Sequence, residues 1–255
     1  MRQLEAINKI LPFIIEDSAV RSIFLRGSIA RGESDEFSDV DFYCMVKDEE
    51  LDSFLKKRIN YMEQYRLLIF FEEVNFAGHQ IVGVFDNGLH FDLYTVTYDS
   101  LHRTDEIKIL YDLEKLLSQY TVEKLSISDE DLVEYFDEIS FTILEFEAAY
   151  CRNDLIWASR LGSHITGYLS IVLRYMYDPN NAQIGLKRLN KKLDKDKYDQ
   201  LSKAIDLLGP SYLPEGVKML VEITDEVLEQ LPKEISNKIN RRFFRSMAGK
   251  IRDLK

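Results

Sequence analysis

The sequence predicts an α+β protein: a mixed β-sheet with flanking helices over residues 1–125, followed by an all-α helical bundle over residues 126–255. Two observations support this prediction. Short runs of branched and aromatic residues, separated by turn signals, fill the first half and are typical of strands. After residue 125 the apolar residues recur at helical spacing. A length of 255 residues with 45% hydrophobic content suffices for one large domain or two small ones with a packed core.

The first half is expected to alternate between strands and helices. Strands are predicted where branched and aromatic residues cluster, at residues 20–26, 39–46, 66–74, 79–85 and 89–96. The last two flank Asn87-Gly88, a dipeptide that favours a hairpin turn. Helical periodicity predicts one helix from Leu4 to Ile14, which Pro12 should kink or restart, and another over residues 49–65.

The second half is expected to be helical throughout. Ser128 is the predicted N-cap of its first helix, because acids fill the turn that follows. One apolar stripe marks the buried face of that helix: Leu132, Phe136, Ile139, Ile143, Phe146 and Tyr150. Further helices are predicted near residues 154–177, 183–207, 215–230 and 234–252.

Charge and composition narrow the range of partners. A formal net charge of -11 argues against a general nucleic-acid binder, which needs a basic surface. No apolar run approaches the roughly 20 residues that span a bilayer, and the N-terminus is charged where a signal peptide needs an apolar segment. Cys44 and Cys151 lack the spacing of a metal site and suit a reducing compartment. We therefore expect a cytoplasmic protein without membrane contacts.

Two aspartates interrupt an apolar run within residues 25–43. Asp39 and Asp41 are two residues apart on a predicted strand, so their carboxylates share one face while Val40 and Phe42 face the core. Carboxylates this close repel each other. Either the pair has a structural role, with Arg or Lys partners or at a solvated strand edge, or a divalent cation neutralises it. Mg²⁺ is the expected cation, because it takes one or two protein carboxylates and completes its shell with water and phosphate.

A glycine-serine turn precedes the aspartate pair. Gly27 follows a predicted strand and opens a short predicted helix over residues 28–32. Glycine lets a ligand approach the backbone closely, and a helix N-terminus offers N–H groups to phosphate. Ser28 adds a hydroxyl group. Asp92, again inside an apolar strand, completes a set of three carboxylates beside this phosphate cradle.

Together, Gly27-Ser28, Asp39-Val40-Asp41 and Asp92 resemble the signature of the polymerase-beta-type nucleotidyltransferase superfamily. The stretch GSIARGESDEFSDVDFY is the most specific part, and the resemblance is strong over residues 20–120. A catalytic half followed by a helical half is also similar to the bacterial aminoglycoside and lincosamide nucleotidyltransferases.

The resemblance implies a reaction. A nucleoside monophosphate, AMP from ATP in the first instance, would be transferred to a hydroxyl of a small molecule, such as an aminoglycoside or lincosamide antibiotic. In-line attack on the α-phosphorus would release pyrophosphate. Asp39 and Asp41 would hold Mg²⁺, and Gly27 and Ser28 would hold the β- and γ-phosphates.

Other roles stay open under this resemblance. Asp92 would be either a further metal ligand or the base that takes the proton from the acceptor hydroxyl. Arg31 is either a triphosphate ligand or a solvated surface arginine. The preferred nucleotide, the number of metal ions, the acceptor and the oligomeric state are not specified, although an oligomer is compatible with the sequence.

The resemblance also implies that the helical half contributes to an acceptor cleft between the two halves. Residues 129–147 contain eight acids and no Lys or Arg. Glu134, Glu138 and Glu145 fall on one stripe, which is either a solvated face or an acidic wall for a cationic acceptor. Glu147 lies beside the apolar stripe and is a second candidate base.

A basic tail closes the sequence. Residues 233–255 carry eight Lys or Arg and two acids. We interpret the tail as an amphipathic helix docked on the acidic body, with a nucleic-acid or membrane contact as the alternative. Two other functions remain: a transferase of the same fold that acts on a protein or an RNA end, and a non-catalytic, antitoxin-like binding module. The complete set of carboxylates counts against the second.

Overall fold

The computed structural model describes residues 1–75 and 78–255. The chain divides into two compact units, Met1–Glu123 and Lys124–Lys255. The first contains a mixed six-stranded sheet with flanking helices. The second, which is described in full, consists of helices and turns without a strand. The predicted α+β fold class is therefore confirmed.

The first unit places its strands in the order β3-β4-β5-β2-β1-β6. The strands are β1 (Val20–Leu25), β2 (Val40–Val46), β3 (Leu68–Asn75), β4 (His79–Phe85), β5 (His90–Val96) and β6 (Lys108–Asp112). Their helices are α1 (Arg2–Ile15), α2 (Gly27–Ala30), α3 (Leu51–Leu55) and α4 (Arg58–Met62). Neighbouring strands are antiparallel except β2 and β5, which are parallel. As predicted, β4 and β5 form a hairpin around Asn87-Gly88.

The two faces of the sheet have different coverings. One face packs its apolar residues, such as Val40 and Phe42, with Ile10 and other buried residues of α1. The opposite face carries an aromatic row in which the ring centroids of Tyr43 and Tyr94 lie 4.2 Å apart. Because side chains alternate along a strand, Asp41 shares this second face with Tyr43, and Asp92 shares it with Tyr94. The carboxylates therefore lie on the face opposite α1.

The second unit is a helical assembly with one apolar core. Its helices are α5 (Asp129–Cys151), α6 (Leu155–Tyr177), α7 (Lys195–Asp206), α8 (Glu215–Gln230), α9 (Lys233–Ser236) and α10 (Arg241–Arg252). As predicted, Ser128 caps α5, and it forms a reciprocal capping box with Asp131. Within residues 1–75 and 78–255, no helix has both the length and the hydropathy required to cross a membrane.

The basic tail docks on acids of its own unit, as interpreted from the sequence. Phe244 and Ile251 of α10 are fully buried in the apolar core. Five tail cations form ion pairs with acids of α5 and α8: Lys238 with Glu130, Arg241 and Arg245 with Glu229, Lys250 with Glu147, and Arg252 with Asp225. The cations of the tail thus hold it against the acidic helices of this unit.

Two long predicted helices are helical over only part of their length, and buried arginines lie at the points where they are interrupted. Residues 49–65 form a 3₁₀ turn followed by α3 and α4, and Arg58 donates from Nε to the Leu55 carbonyl oxygen at 3.1 Å. Residues 183–194 form turns before α7 begins, and Arg174 donates to the carbonyl oxygens of Gly185 and Lys187. In each case, a guanidinium group takes carbonyl oxygens that a continuous helix would use for its own hydrogen bonds.

Two smaller expectations also differ from the structure. The helix predicted over residues 234–252 is divided into α9 and α10, because the Asn240 side chain accepts a hydrogen bond from the Phe243 amide and starts a new helix. Conversely, α1 continues through Pro12 to Ile15. The carbonyl that loses its helical partner to Pro12 belongs to Asn8, an exposed residue, so water can satisfy it.

Candidate active site

The sheet brings two of the three predicted aspartates side by side. Asp41 on β2 lies opposite Asp92 on β5 in the parallel register. Asp39 directly precedes β2. The Asp92 residue is only 7% exposed, whereas the Asp39 side chain is 45% exposed. One carboxylate therefore lies in the sheet surface while another reaches toward solvent.

His90 links Asp39 and Asp92. Its Nε2 lies 2.9 Å from Asp92 Oδ1, and its Nδ1 lies 3.9 Å from Asp39 Oδ2. The hydrogen bond with Asp92 raises the pKa of His90, and the charges of Asp92, Asp39 and Asp41 add to this rise. The sequence prediction omitted His90, although the two-residue alternation that paired Asp39 with Asp41 also places His90 on the face of Asp92.

Gly27 contacts the carboxylate of Asp41. Its φ angle is +66°, and a Cβ atom on Gly27 would lie 2.1 Å from Asp41 Oδ2. The turn is tied to β2, because the Arg26 amide donates to the Asp41 carbonyl oxygen at 3.0 Å. Ser28 follows in α2 and is half-buried. Only a glycine therefore lets this turn approach the carboxylate so closely.

Arg31 and Gly27 already share an acidic partner, Asp105. Arg31 Nη1 lies 2.6 Å from Asp105 Oδ2, and the Gly27 amide donates to the same oxygen at 3.3 Å. Arg31 also pairs with Glu33 at 3.1 Å. Burial lowers the pKa of Arg31, but the hydrogen bonds with Asp105 and Glu33 outweigh burial and raise it. No sequence signal pointed to Asp105, because it lies in the loop between β5 and β6.

The donor chemistry of the three aspartates fits Mg²⁺ held jointly with a phosphate. In the part of the chain that the structure describes, no three His, Cys, Asp or Glu side chains form a preassembled metal site. Mg²⁺ does not require one, because it commonly takes one or two carboxylates and shares substrate phosphates. The close approach of Gly27 to Asp41 brings a backbone suited to phosphate against a hard carboxylate oxygen. These residues therefore fit the ion.

The two glutamates predicted for the acceptor lie on α5. Glu145 is exposed. Glu147 is partly buried, and its Oε2 lies 2.7 Å from Lys250 Nζ. Burial raises the pKa of Tyr168 on α6, and the charges of Glu138 and Glu145 raise it further. The α5 acids thus divide into those that stabilise this unit and those that face solvent.

Comparisons with known proteins give one family match. Residues 7–124 match the family model described as a nucleotidyltransferase domain. That range includes Gly27, Ser28, Asp39, Asp41 and Asp92. No curated protein matches the chain significantly in sequence.

Solved structures that are similar to the chain are distant in sequence. One is an aminoglycoside 6-adenyltransferase from Bacillus subtilis, with 12% identity and a TM-score of 0.32 over 96% of this chain and 97% of that chain. Another is a spectinomycin adenyltransferase from Enterococcus faecialis with ATP and spectinomycin. Its identity is 12% and its TM-score 0.36, over 98% of each chain.

Proposed function

We propose that the chain transfers a nucleoside monophosphate to a hydroxyl group of a small molecule, because residues 7–124 match the family model described as a nucleotidyltransferase domain, as the resemblance of their motifs indicated. ATP is the first candidate donor. The observation that carries this proposal is the contact between Gly27 and Asp41, in which a Cβ atom would lie 2.1 Å from Oδ2. A phosphate-binding backbone and a metal-binding carboxylate are needed side by side when a triphosphate is bound through its metal ion.

The nucleotide is held by the turn after β1. The backbone of Gly27 and the hydroxyl of Ser28 contact the β- and γ-phosphates, where the positive φ angle of Gly27 turns the chain toward the ligand. Arg31 exchanges the carboxylates of Asp105 and Glu33 for phosphate oxygens. Such charge-assisted hydrogen bonds orient the triphosphate as well as bind it.

The carboxylates prepare the reacting groups. Asp39 and Asp41 would hold Mg²⁺, with Asp92 either as a further ligand or as the base, and the bound ion would stabilise the charge on the attacking and leaving oxygens. Asp92 is our first candidate for the base that accepts the proton of the acceptor hydroxyl, because His90 orients its carboxylate at 2.9 Å. Glu147 is the second candidate, although its ion pair with Lys250 favours a structural role.

A cationic acceptor suits the exposed acids of α5. Glu134, Glu138 and Glu145 are exposed, and the ring centroids of Tyr135 and Tyr168 lie 6.2 Å apart beside them. Carboxylates bind ammonium groups, and aromatic faces attract cations and cover sugar rings. Aminoglycosides, which are polycationic and rich in hydroxyl groups, are therefore the first acceptor class to test, and lincosamides are the second.

The other acceptor classes have less support. An RNA acceptor was suggested by the basic tail, but five of its cations pair with acids of the helical unit. A non-catalytic binding module would not need the carboxylate pair of Asp41 and Asp92 in register beside the Gly27 turn. We therefore retain the small-molecule transferase. We also propose that it acts in the cytoplasm.

A pyrophosphate-release screen tests the proposal. The protein is incubated with Mg²⁺, each NTP in turn, and a panel of aminoglycosides and lincosamides. We expect pyrophosphate only when donor, acceptor and Mg²⁺ are all present, with ATP the best donor. Chelation by EDTA should stop the release. If no NTP yields pyrophosphate with any acceptor, the proposed reaction and acceptor class are wrong.

A further inference from the structure

The position of Asp39 is not fixed by the sheet. Asp39 precedes β2 and ends the loop that follows α2, so its carboxylate depends on whatever holds that loop. The loop ends in a compact turn: the Asp35 amide donates to Ser38 Oγ at 2.9 Å, and the Phe37 amide donates to Asp35 Oδ1 at 2.9 Å. A turn with internal hydrogen bonds moves as one body, so an anchor on it also anchors Asp39.

Gln3 of α1 provides such an anchor. Its residue exposure is 1%, and its Nε2 lies 2.7 Å from the Ser38 carbonyl oxygen and 3.0 Å from that of Asp35. A third carbonyl oxygen, of Glu36, lies at 3.4 Å. An amide nitrogen has two hydrogens, so the two short contacts use both. A buried amide in this position therefore fixes both ends of the turn next to Asp39.

Arg2 connects the same turn to the strand that carries Asp92. Arg2 Nη2 donates to the Glu36 carbonyl oxygen at 3.2 Å, and Nη1 donates to the Asn87 carbonyl oxygen at 3.0 Å. Asn87 lies in the hairpin turn directly before β5, which bears His90 and Asp92. One guanidinium group thus bridges the two loops that lead to Asp39 and Asp92.

The start of α1 is held in place by packing on the sheet. Ala6, Ile7 and Ile10 are buried against the sheet with exposures of 0%, 3% and 0%. Arg2 and Gln3 lie outside residues 7–124, so the family match assigns them no role. The hydrophobic side of the helix docks on the sheet, and its first turn presents polar groups to the loop.

We propose that Gln3, assisted by Arg2, is a positioning residue that sets the carboxylate of Asp39 for metal binding. The inference rests on the proposed function, because it assumes that Asp39 is a metal ligand. Groups that orient a ligand without touching the metal commonly change metal affinity by about 10–100-fold when they are removed.

The test compares Gln3→Met with the wild type by two readouts that do not require turnover. Methionine keeps the length of glutamine but cannot donate a hydrogen bond to the carbonyl oxygens. Mn²⁺ binding is measured by electron paramagnetic resonance with a non-hydrolysable ATP analogue, and amide hydrogen exchange is measured over residues 35–39. The control is Gln64→Met, because Gln64 is exposed and, among the described residues, donates only to the nearby Asn60 carbonyl oxygen, at 3.0 Å.

Gln3→Met should weaken Mn²⁺ binding about tenfold or more and speed exchange over residues 35–39 about tenfold. Exchange in β2 and β5 should be unchanged, and Gln64→Met should match the wild type in both readouts. Arg2→Met, at a less buried position, should show the same pattern to a smaller degree, which protects the test against a Gln3 variant that fails to fold.

Mn²⁺ affinity within about twofold of the wild type in a folded Gln3→Met protein would overturn the proposal. Faster exchange without loss of Mn²⁺ affinity would show that Gln3 has only a structural role, and this result would also overturn the proposal. If the wild type itself binds no Mn²⁺ with the analogue, the proposed function fails, and the exchange measurement alone decides whether Gln3 holds the loop.

Discussion

Two groups of acidic residues in this chain have different partners. On α5, Glu130 and Glu147 pair with Lys238 and Lys250 of the tail, at 3.0 and 2.7 Å. On the sheet, Asp39 and Asp92 instead approach a single imidazole, that of His90. Ion pairs between partly exposed groups contribute little to stability but neutralise charge. Neighbouring carboxylates repel one another, and a bound cation relieves that repulsion. The first arrangement serves the fold, and the second is suited to a ligand.

The largest loss of activity is expected from substitutions of the aspartates at the candidate site. Asp41→Asn, and equally Asp39→Asn, should lower nucleotidyl transfer by about 10³-fold or more, equivalent to about 4 kcal/mol of transition-state stabilisation. The midpoint of thermal unfolding should stay the same or rise, because the substitution removes repulsion between acids. The readouts are steady-state kinetics and calorimetry.

Glu130→Gln is the matched control for the other group of acids. It removes one acid of α5 whose partner is Lys238, and we expect wild-type turnover. Comparable loss of turnover in Glu130→Gln and Asp41→Asn would contradict the distinction between the two groups.

Gly27→Ala should have the next largest effect. Its Cβ atom would lie 2.1 Å from Asp41 Oδ2, and at a φ of +66° an alanine costs about 1 kcal/mol in the backbone alone. Displacement of the Asp41 carboxylate should reduce kcat about 100-fold. Gly32→Ala separates the backbone cost of a positive φ from the contact with Asp41. Gly32 has a φ of +69°, but no atom of the described residues lies within 4 Å of its Cβ position. The control should lose similar stability and keep its activity. Equal activity in the two variants would show that the contact with Asp41 is irrelevant to catalysis.

A smaller pair of effects distinguishes Glu145 from Glu147 within α5. Glu145→Gln should raise the acceptor KM several-fold, roughly 1 kcal/mol, and leave the NTP KM unchanged, because Glu145 is exposed and carries the charge predicted to meet a cationic acceptor. Glu147→Gln should instead cost stability, about 0.2–1 kcal/mol, through its pair with Lys250. Separate kinetic and unfolding measurements on each variant test this division. A fall in kcat for Glu147→Gln would assign Glu147, rather than Asp92, as the base.

Local chemistry made the fold class predictable, and the spacing of polar residues on predicted strands selected the candidate site residues. The same-face rule for Asp39 and Asp41 required only their spacing, and the hairpin required only Asn87-Gly88. The same rule places His90 on the face of Asp92, but the spacing alone does not show that the imidazole contacts the carboxylate. Asp105 had no local signal, because its contact with Gly27 depends on the path of the loop after β5.

Hydrogen bonds from buried side chains to the backbone account for the failures within helices. Residues 49–65 and 183–207 have helical periodicity, and propensity alone does not distinguish them from the helices that do form. Arg58 and Arg174, each 2% exposed, decide the outcome by binding backbone carbonyl oxygens. A buried guanidinium favours hydrogen bonds to oxygens near it, and the sequence does not reveal which carbonyls it will use.

The central claim, that the chain transfers a nucleoside monophosphate, is tested most directly by the fate of labelled phosphorus in the pyrophosphate-release screen. ATP labelled at the α-phosphorus and ATP labelled at the γ-phosphorus are offered in parallel with the acceptor that releases most pyrophosphate. We expect the α-label to enter the acceptor, the γ-label to leave as pyrophosphate, and Asp41→Asn to abolish both. Transfer of the γ-label to the acceptor, or pyrophosphate release that persists in Asp41→Asn, would contradict it.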